Sequence, residues 1–356
     1  MRAKMMKEMN FEPLRRRLGA LALAIAAAFA LGNHGSSGAA LEQPAVAVVE
    51  QRMLIPGGKA VGIAIETEGV ILVGTSDLGT VKSPARQAGL KPGDVITKVN
   101  DTAVNSAEDL AAILKAGEGA AVTAMRDGEE KKFEIIPAED PRDGLPKIGA
   151  WVRSSTAGVG TLTYIDPRTG EYAALGHAIS DVDTGVLLPV ADGGLYESEI
   201  VRVNKGEKGR PGELVGDFLS DEQQLGSVSE NSDTGVYGVY TAADTSDLLY
   251  PGGLPVGSRE QMHTGPAQII AEVDNQVRAY DVEIEHIEPD GARELRSIVV
   301  HVTDPDLIGR TGGIVQGMSG SPIIQDGMIV GAVTHVFVND PTRGYGIGIE
   351  AMLEAA

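Results

Sequence analysis

The sequence predicts a mainly β protein: an N-terminal signal or anchor helix, then a small α+β domain, then a larger all-β domain. Glycine occupies 46 of 356 positions and aromatic residues make up only 4%, whereas glycine usually contributes about 7%. From Lys147 onward, short alternating apolar segments are separated by turns, and a helical period appears only near Glu350 to Glu354. Short strands joined by tight turns give this pattern. About 210 residues of this kind predict a double barrel or a sandwich.

The amino terminus differs in composition from the rest of the chain. It carries six basic residues against Glu8 and Glu12, and Leu18 to Leu31 is a continuous apolar run apart from one glycine. A helix of that length spans about 21 Å, less than the ~30 Å hydrocarbon core of a bilayer. A basic start followed by a short apolar run that ends in small residues is typical of an export signal. We therefore expect residues 1–31 to be a signal peptide or a membrane anchor and residues 32–57 to be a linker.

The composition argues against several classes of function. The formal net charge is −20, and a chain this acidic is repelled by phosphate backbones, so nucleic-acid binding is disfavoured. Cysteine is absent, which excludes disulfide scaffolds, thiolate zinc sites and a cysteine nucleophile. The sequence contains no phosphate-binding glycine loop and no dinucleotide fingerprint. We expect no cofactor and no metal.

Residues 58–138 have the pattern of a small α+β domain. Ser106 to Leu114 reads as a capped amphipathic helix. The segment from Ser83 to Asn100, Ser-Pro-Ala-Arg-Gln-Ala-Gly-Leu-Lys-Pro-Gly-Asp-Val-Ile-Thr-Lys-Val-Asn, resembles the PDZ domains of bacterial proteases. In that family a loop of backbone N–H groups receives a peptide carboxylate, and the peptide adds to the sheet as a strand. The resemblance implies that this loop consists of Ala60, Val61, Gly62 and Ile63.

A second domain, residues 147–356, follows a linker rich in proline and charge at residues 138–146. One of its turns can be predicted directly, because Asp326-Gly327 lies between two apolar runs and suits a two-residue hairpin turn. We predict two hairpins and two long strands in this domain, at residues 161–175, 321–333, 277–287 and 295–302.

One turn of the second domain has the residues that nucleophilic catalysis needs. In Gly317-Met-Ser-Gly-Ser-Pro, Ser319 lies among small residues, and the amides of Gly317 and Ser319 are able to converge as an oxyanion hole. A serine needs a base at neutral pH, and histidine is the natural one. His177 follows a glycine at the end of a predicted strand, whereas the other histidines lie in the linker or in or beside strands, where we expect structural roles. Ser321 is a rival nucleophile, but the proline after it favours an extended strand entry.

Longer blocks around these residues carry a family resemblance. Gly312 to Gln325 with Gly331 to Gly346, together with Leu175 to Gly185, are similar to the SpoIVB peptidases, the stage IV sporulation serine peptidases of spore-forming bacteria. The turn also resembles the nucleophile turn of chymotrypsin-like proteases, and the resemblance implies an all-β chymotrypsin-like double barrel. It assigns the nucleophile to Ser319, the general base to His177 and the orienting acid to Asp304.

The same resemblance implies a substrate and a compartment. The substrate would be the extracytoplasmic part of a membrane protein that restrains an intramembrane protease. Its cleavage would lead to activation of a late, sigma-K-type sigma factor during sporulation. The PDZ domain would bind that partner, another regulator or the chain itself. The protein would then be exported across the cytoplasmic membrane or anchored in it, and it would act in the space between mother cell and forespore.

Three alternatives stay open at this level. Asp304 stands before a proline, where an Asx cap is also expected, so Asp181, Asp183 and Asp233 are substitutes for the acid. The two Asp-Thr-Gly triplets at Asp183 and Asp233 suggest the carboxylate dyad of an aspartic peptidase, although the second lacks an apolar strand before it. The third alternative is a PDZ adaptor whose peptidase fold is catalytically inactive.

Overall fold

The computed structural model of this protein describes residues 51–217, 224–242, 244–288 and 295–356. The predicted signal or anchor helix (residues 1–31) and residues 32–50 of the predicted linker lie outside these ranges. Across the described residues, every helix is too short or too polar to cross a bilayer.

The described residues form short strands and few helices. Up to residue 147 the strands are β1 (Met53–Pro56), β2 (Ala60–Thr75), β3 (Val95–Val99), β4 (Thr102–Ala103), β5 (Ala120–Arg126), β6 (Glu129–Ile135), β7 (Ala138–Glu139) and β8 (Pro146–Lys147). The next are β9 (Ala150–Ile165), β10 (Glu171–Ala174), β11 (Val190–Glu197), β12 (Glu199–Asn204), β13 (Glu213–Asp217), β14 (Gln224–Ser232), β15 (Gly235–Tyr240) and β16 (Leu254–Pro255). The last are β17 (Gly265–Glu272), β18 (Val277–Ile287), β19 (Ile298–Val302), β20 (Pro322–Gln325), β21 (Met328–Phe337) and β22 (Asp340–Gly348). The helices are α1 (Pro84–Ala88), α2 (Ala107–Leu114), α3 (Pro305–Thr311) and α4 (Ile349–Leu353), with a 3₁₀ turn at Arg259–Gln261.

Two rings of strands confirm the predicted double barrel. The C-terminal barrel closes in the order β17-β18-β19-β22-β21-β20. The N-terminal ring runs β2-β9-β10-β15-β14-β11 and closes because β11 pairs back onto β2. Inward-facing branched residues fill both interiors, with Ile269 and Val300 fully buried in one and Val61 and Leu162 in the other. Closure gives most strands a neighbour on both sides, which removes most of the exposed edges that an open sheet would have.

Both predicted hairpins are present, one formed by β20 and β21 and the other by β9 and β10. Asp326 and Gly327 both have positive φ, at 50° and 75°, between β20 and β21. That is the backbone a two-residue primed turn requires. Strands β9 and β10 are joined through a turn in which the Gly170 amide donates to the Asp166 carbonyl at 2.8 Å.

The predicted PDZ domain is an insertion in the N-terminal barrel. Strands β2 and β9, 16 residues each, pair from Ala60–Thr161 at one end to Thr75–Ala150 at the other. The chain between them folds as a layer of β3 to β6 with α1 and α2, in which β3 pairs with the end of β2. The apolar core of this layer also includes Val70 and Leu72 of β2. Ser106 caps α2 as predicted, its hydroxyl accepting from the Asp109 amide at 3.0 Å. A pair of long strands therefore joins the two domains.

The predicted carboxylate loop at residues 60–63 is wrong. Ala60, Val61, Gly62 and Ile63 lie inside β2, with β9 on one side and β11 on the other. The Ala60 amide is also occupied, since it donates to a carboxylate oxygen of Glu272 at 2.9 Å. A glycine between apolar residues is equally compatible with a loop and with a buried strand, so the local pattern did not separate them. The start of the predicted PDZ segment thus belongs to the barrel, and the end of the predicted linker is strand β1.

Candidate active site

One cavity of about 600 Å³ lies between the two barrels and contains both residues of the predicted Ser–His pair. Ser319 and His177 line it, together with Thr334 and His335 of β21. Thr156 to Val159 of strand β9 line it as well. The fold therefore brings the predicted nucleophile and the predicted base, which are remote in sequence, into a common site.

Ser319 stands in the turn that leads into β20. Gly317 and Gly320 on either side have φ of 96° and 95°, a region that side chains other than glycine rarely adopt. The Ser319 hydroxyl is partly exposed and donates to the Thr334 carbonyl at 2.7 Å. In this structure the Ser319 hydroxyl is therefore hydrogen-bonded to β21 and not to an imidazole.

The turn leaves the two predicted oxyanion amides free. The Gln316 carbonyl accepts from the Leu214 amide at 2.8 Å, and the Met318 carbonyl accepts from the Ser321 amide at 3.0 Å. Because C=O and N–H of a trans peptide point in opposite directions, the amides of Gly317 and Ser319 point away from these partners. Among the described residues neither amide has an acceptor. Two unoccupied donors beside the Ser319 hydroxyl are what an oxyanion hole needs.

Thr161 of β9 is a site residue that the sequence analysis missed. Its amide donates to the Ser319 carbonyl at 3.0 Å, and its hydroxyl donates to the Gly317 carbonyl at 2.7 Å. Its own carbonyl accepts from the Leu175 amide at 3.2 Å, two residues before His177. This fully buried threonine thus ties the serine turn to the histidine segment. No sequence signal singles it out, since it reads as an ordinary strand residue.

His177 is presented by a sharp turn after β10. Leu175 and Gly176 have φ of 70° and 68°, so the chain reverses and Gly176 packs against β21, where a Cβ would lie 3.2 Å from Thr334 Cγ2. The Nδ1 of His177 lies 2.8 Å from the Ala178 carbonyl oxygen. A carbonyl only accepts, so Nδ1 carries the proton and Nε2 keeps its lone pair. Burial lowers the pKa of His177, which favours this neutral, base-competent form.

A second histidine shares the cavity. The ring of His335 lies 5.1 Å from that of His177, centroid to centroid. Partial desolvation, with smaller contributions from the charges of His177 and Arg296, lowers the pKa of His335. Its position in a strand predicts only a structural role, so its place in the cavity is visible only in the fold.

The structure corrects the assignment of Asp304 as orienting acid. Asp304 is the N-cap of α3, and its Oδ1 accepts from the amides of Asp306 and Leu307 at 2.8 and 3.0 Å. It is not among the residues of the cavity, and the Nδ1 of His177 is bonded to a carbonyl instead. An aspartate before a proline suits an N-cap with proline at N1. Helix α3 itself was not predicted from the sequence.

The remaining alternatives do not reach the cavity either. Ser321 is fully buried, so its hydroxyl is closed to a substrate. Asp181 and Asp183 both pair with Arg153. Asp233 is exposed in the β14–β15 turn and does not line the cavity. The structure therefore gives no support for an aspartic dyad at this site.

The lowered pKa of His177 predicts the acid limb of the pH profile. Only the neutral imidazole accepts a proton, so a pKa below the usual 6.5 keeps the base competent at lower pH. We expect the acid limb of kcat/KM to have its midpoint below pH 6.5. Measuring the profile in wild type and in His335→Gln separates the two imidazoles, since the limb should persist in the variant. A midpoint above 6.5 would contradict the buried neutral base.

Asp304 gives a test that separates a helix cap from a catalytic acid. Asp304→Ala removes the cap and is expected to lower the free energy of unfolding by about 1 kcal/mol, whereas Asp304→Asn keeps a capping side chain and the wild-type stability. Denaturant unfolding of both variants measures this. An Asn variant that is fully stable yet loses kcat by about 10⁴-fold, as loss of an orienting acid would cause, would restore the catalytic assignment.

Comparison with protein families gives two matches. A model described as SpoIVB peptidase S55 matches residues 145–353, more than half of the chain. A PDZ domain model matches residues 79–124, which lie within the layer inserted between β2 and β9.

The similarity to individual proteins covers shorter parts of the chain. A probable periplasmic serine endoprotease DegP-like of Brucella suis is 31% identical over 151 residues, 40% of this chain and 27% of that protein. A serine protease Do-like HtrA of Lactococcus lactis is 47% identical over 63 residues, 17% of this chain and 15% of that protein. The chain thus spans about a quarter or less of the length of these relatives. The active form of the Rv3671c protease from M. tuberculosis aligns with a TM-score of 0.33 and 15% identity, over 56% of this chain and 72% of that chain.

Proposed function

Because the chain belongs to the SpoIVB peptidase S55 family, we propose that it is a PDZ-containing serine endopeptidase with Ser319 as nucleophile and His177 as general base. The observation that carries this proposal is the shared cavity: the two residues line one space between the barrels, and the amides of Gly317 and Ser319 are free of acceptors among the described residues. Nucleophile, base and oxyanion donors are the three parts that acyl transfer requires.

The proposed reaction begins with a rotation of the Ser319 side chain. Its hydroxyl leaves the Thr334 carbonyl and donates to Nε2 of His177, which takes the proton as the oxygen attacks the peptide carbonyl. The oxyanion that forms accepts from the amides of Gly317 and Ser319. The imidazolium then protonates the leaving amine, and water hydrolyses the acyl-enzyme by the same steps in reverse order.

In this proposal a backbone carbonyl orients the base. Ala178 accepts from Nδ1 of His177, which holds the tautomer with Nε2 free. A carbonyl dipole stabilises the imidazolium less than a carboxylate does. The lowered pKa of His177 is consistent with a base without a buried anion beside it.

The family suggests a specific substrate and compartment. We propose cleavage of the extracytoplasmic part of a membrane protein that restrains an intramembrane protease, in the sporulation pathway that leads to a late sigma factor. Family membership supports this. The name of the Brucella relative, a periplasmic endoprotease, supports export of the chain, in line with the composition of residues 1–31. The PDZ domain would bind a peptide of that partner or of a regulator.

Labelling by a fluorophosphonate probe tests the proposed activity. We expect covalent modification of wild-type protein at Ser319, located by mass spectrometry of the digested adduct, and cleavage of peptide bonds mapped by mass spectrometry of the products. The label should be absent from Ser319→Ala. Folded wild-type protein that neither labels nor cuts would favour the inactive PDZ adaptor.

A further inference from the structure

Strand β9 has an unpaired edge that leads into the serine turn. In its barrel part, residues 155–160 pair only with β2, through partners such as Ile63–Gly158 and Ile65–Thr156. Strand β10 pairs with β9 only from Leu162 onward. One side of this stretch therefore has no neighbouring strand among the described residues.

The register identifies which backbone groups face that open side. Leu162 exchanges hydrogen bonds with Lys59 and Gly58, on the β2 side, whereas the Thr161 amide and carbonyl bond to Ser319 and Leu175 on the other side. Backbone groups of a strand alternate between its two edges, and no bulge interrupts β9 between residues 155 and 161. The N–H and C=O groups of Ser155, Ala157 and Val159 therefore face the open edge. None of them has a hydrogen-bond partner in the described part of the chain.

This edge lies in the wall of the active-site cavity. Thr156, Ala157, Gly158 and Val159 line the same space as Ser319 and His177. The three unpaired positions span about 13 Å. The next position of the same edge, Thr161, donates to the Ser319 carbonyl. A strand laid along β9 would thus arrive at the nucleophile in a defined register.

The edge lacks the features that usually block strand addition. Residues 154–161 read Ser-Ser-Thr-Ala-Gly-Val-Gly-Thr, without charge, proline or a large side chain. Natural edge strands are normally protected by such residues. Apart from its two histidines, the described lining of the cavity has no acidic or basic side chain, although the chain carries a net charge of −20.

We propose that the substrate binds as an added β-strand on the edge of Ser155, Ala157 and Val159, as an extended segment with uncharged residues around the cut bond. This inference rests on the proposed peptidase function and specifies how its substrate is held. The backbone ladder supplies affinity and register, while the apolar walls select uncharged side chains. Specificity then depends first on whether a segment is able to extend, and only second on its side chains.

Backbone N-methylation of a substrate tests the ladder on the wild-type protein. A synthetic peptide centred on a bond that the enzyme cuts in unfolded β-casein is methylated at one amide at a time. We expect kcat/KM to fall roughly three- to tenfold at every second amide, since each such methyl removes one hydrogen bond, and to change little at the amides between. A profile without this period of two would overturn the proposal.

A proline on the edge gives the matching change in the protein. Ala157→Pro removes an N–H that faces the open side, so the ladder to β2 keeps its hydrogen bonds. We expect kcat/KM for the unmethylated peptide, divided by the fluorophosphonate labelling rate constant of the same sample, to fall roughly three- to tenfold, as for the loss of one hydrogen bond. An unchanged ratio would contradict the assignment.

Glu134→Pro on β6 is the control. Glu134 faces Ala121, whose amide donates to Asn100 on the far side, so the Glu134 N–H also points off an open edge, but in the PDZ layer. The same ratio should stay within twofold of wild type. Wild-type protein that does not label at Ser319 would instead count against the peptidase function, so the two failures are distinguishable.

Discussion

Ser319→Ala is expected to lower kcat for peptide hydrolysis by roughly 10⁶-fold. The hydroxyl is the atom that forms the acyl bond, and Thr334 and His177, the groups around it, cannot replace it in that step. What catalysis remains should come from the free amides of Gly317 and Ser319, which would still polarise a bound carbonyl for attack by water. Single-turnover kinetics on a cleaved peptide, with intact-mass detection of any acyl-enzyme, measures both effects.

Ser321→Ala is the matched control for this experiment. Ser321 is two residues away and fully buried, and its hydroxyl has no hydrogen-bond partner in the described residues. Removing an unsatisfied buried hydroxyl costs little stability, so kcat and the unfolding midpoint should stay near wild type. Cleavage of the same bonds at the same rate by Ser319→Ala, with Ser321→Ala impaired, would exchange the roles of the two serines.

Features governed by neighbouring residues were predictable from the sequence. The β20–β21 hairpin depends on Asp326 and Gly327, and the start of α2 depends on Ser106, so a few adjacent residues define each of them. The turn that contains Ser319 was predictable for the same reason. The glycines on either side indicate a turn in the sequence, and they are the residues that adopt its positive φ. His177 was identified together with Ser319, but the common cavity that contains them is a property of the packed barrels.

Features that depend on distant pairing were not predictable in this way. Residues 60–63 look like a PDZ loop until β9 and β11 are found on both sides of them. Asp304 fits both a cap and an acid, and only the position of α3 separates the two roles. Thr161 is the clearest case: its importance comes from three hydrogen bonds to segments more than ten residues away in sequence, and no local pattern encodes them.

Gly320→Ala is expected to reduce kcat/KM at least 100-fold and to lower the free energy of unfolding by roughly 2–5 kcal/mol. Gly320 has a φ of 95°, and a Cβ there would lie 2.2 Å from the Thr161 carbonyl oxygen and 2.5 Å from the Leu175 amide. Both neighbours are backbone, so they relieve the contact only if the chain itself shifts. That shift would separate the serine turn from the strand and the histidine segment that Thr161 joins to it, and a displacement of about 1 Å costs on the order of 10²-fold in rate.

Gly327→Ala measures the backbone part of this effect alone, so the difference between the two variants is the part that comes from crowding. Gly327 also has a positive φ, 75°, but a Cβ added there meets nothing within 4 Å. It should therefore cost only the left-handed backbone penalty, roughly 1–2 kcal/mol, and leave kcat/KM unchanged. Fluorophosphonate labelling rates and denaturant unfolding of both variants, measured well below their melting temperatures, separate the two contributions. Equal labelling rates in the two variants would mean that the close packing of Gly320 against Thr161 and Leu175 does not position Ser319 and His177, and the geometry of the site would then have to be maintained by other contacts between the barrels.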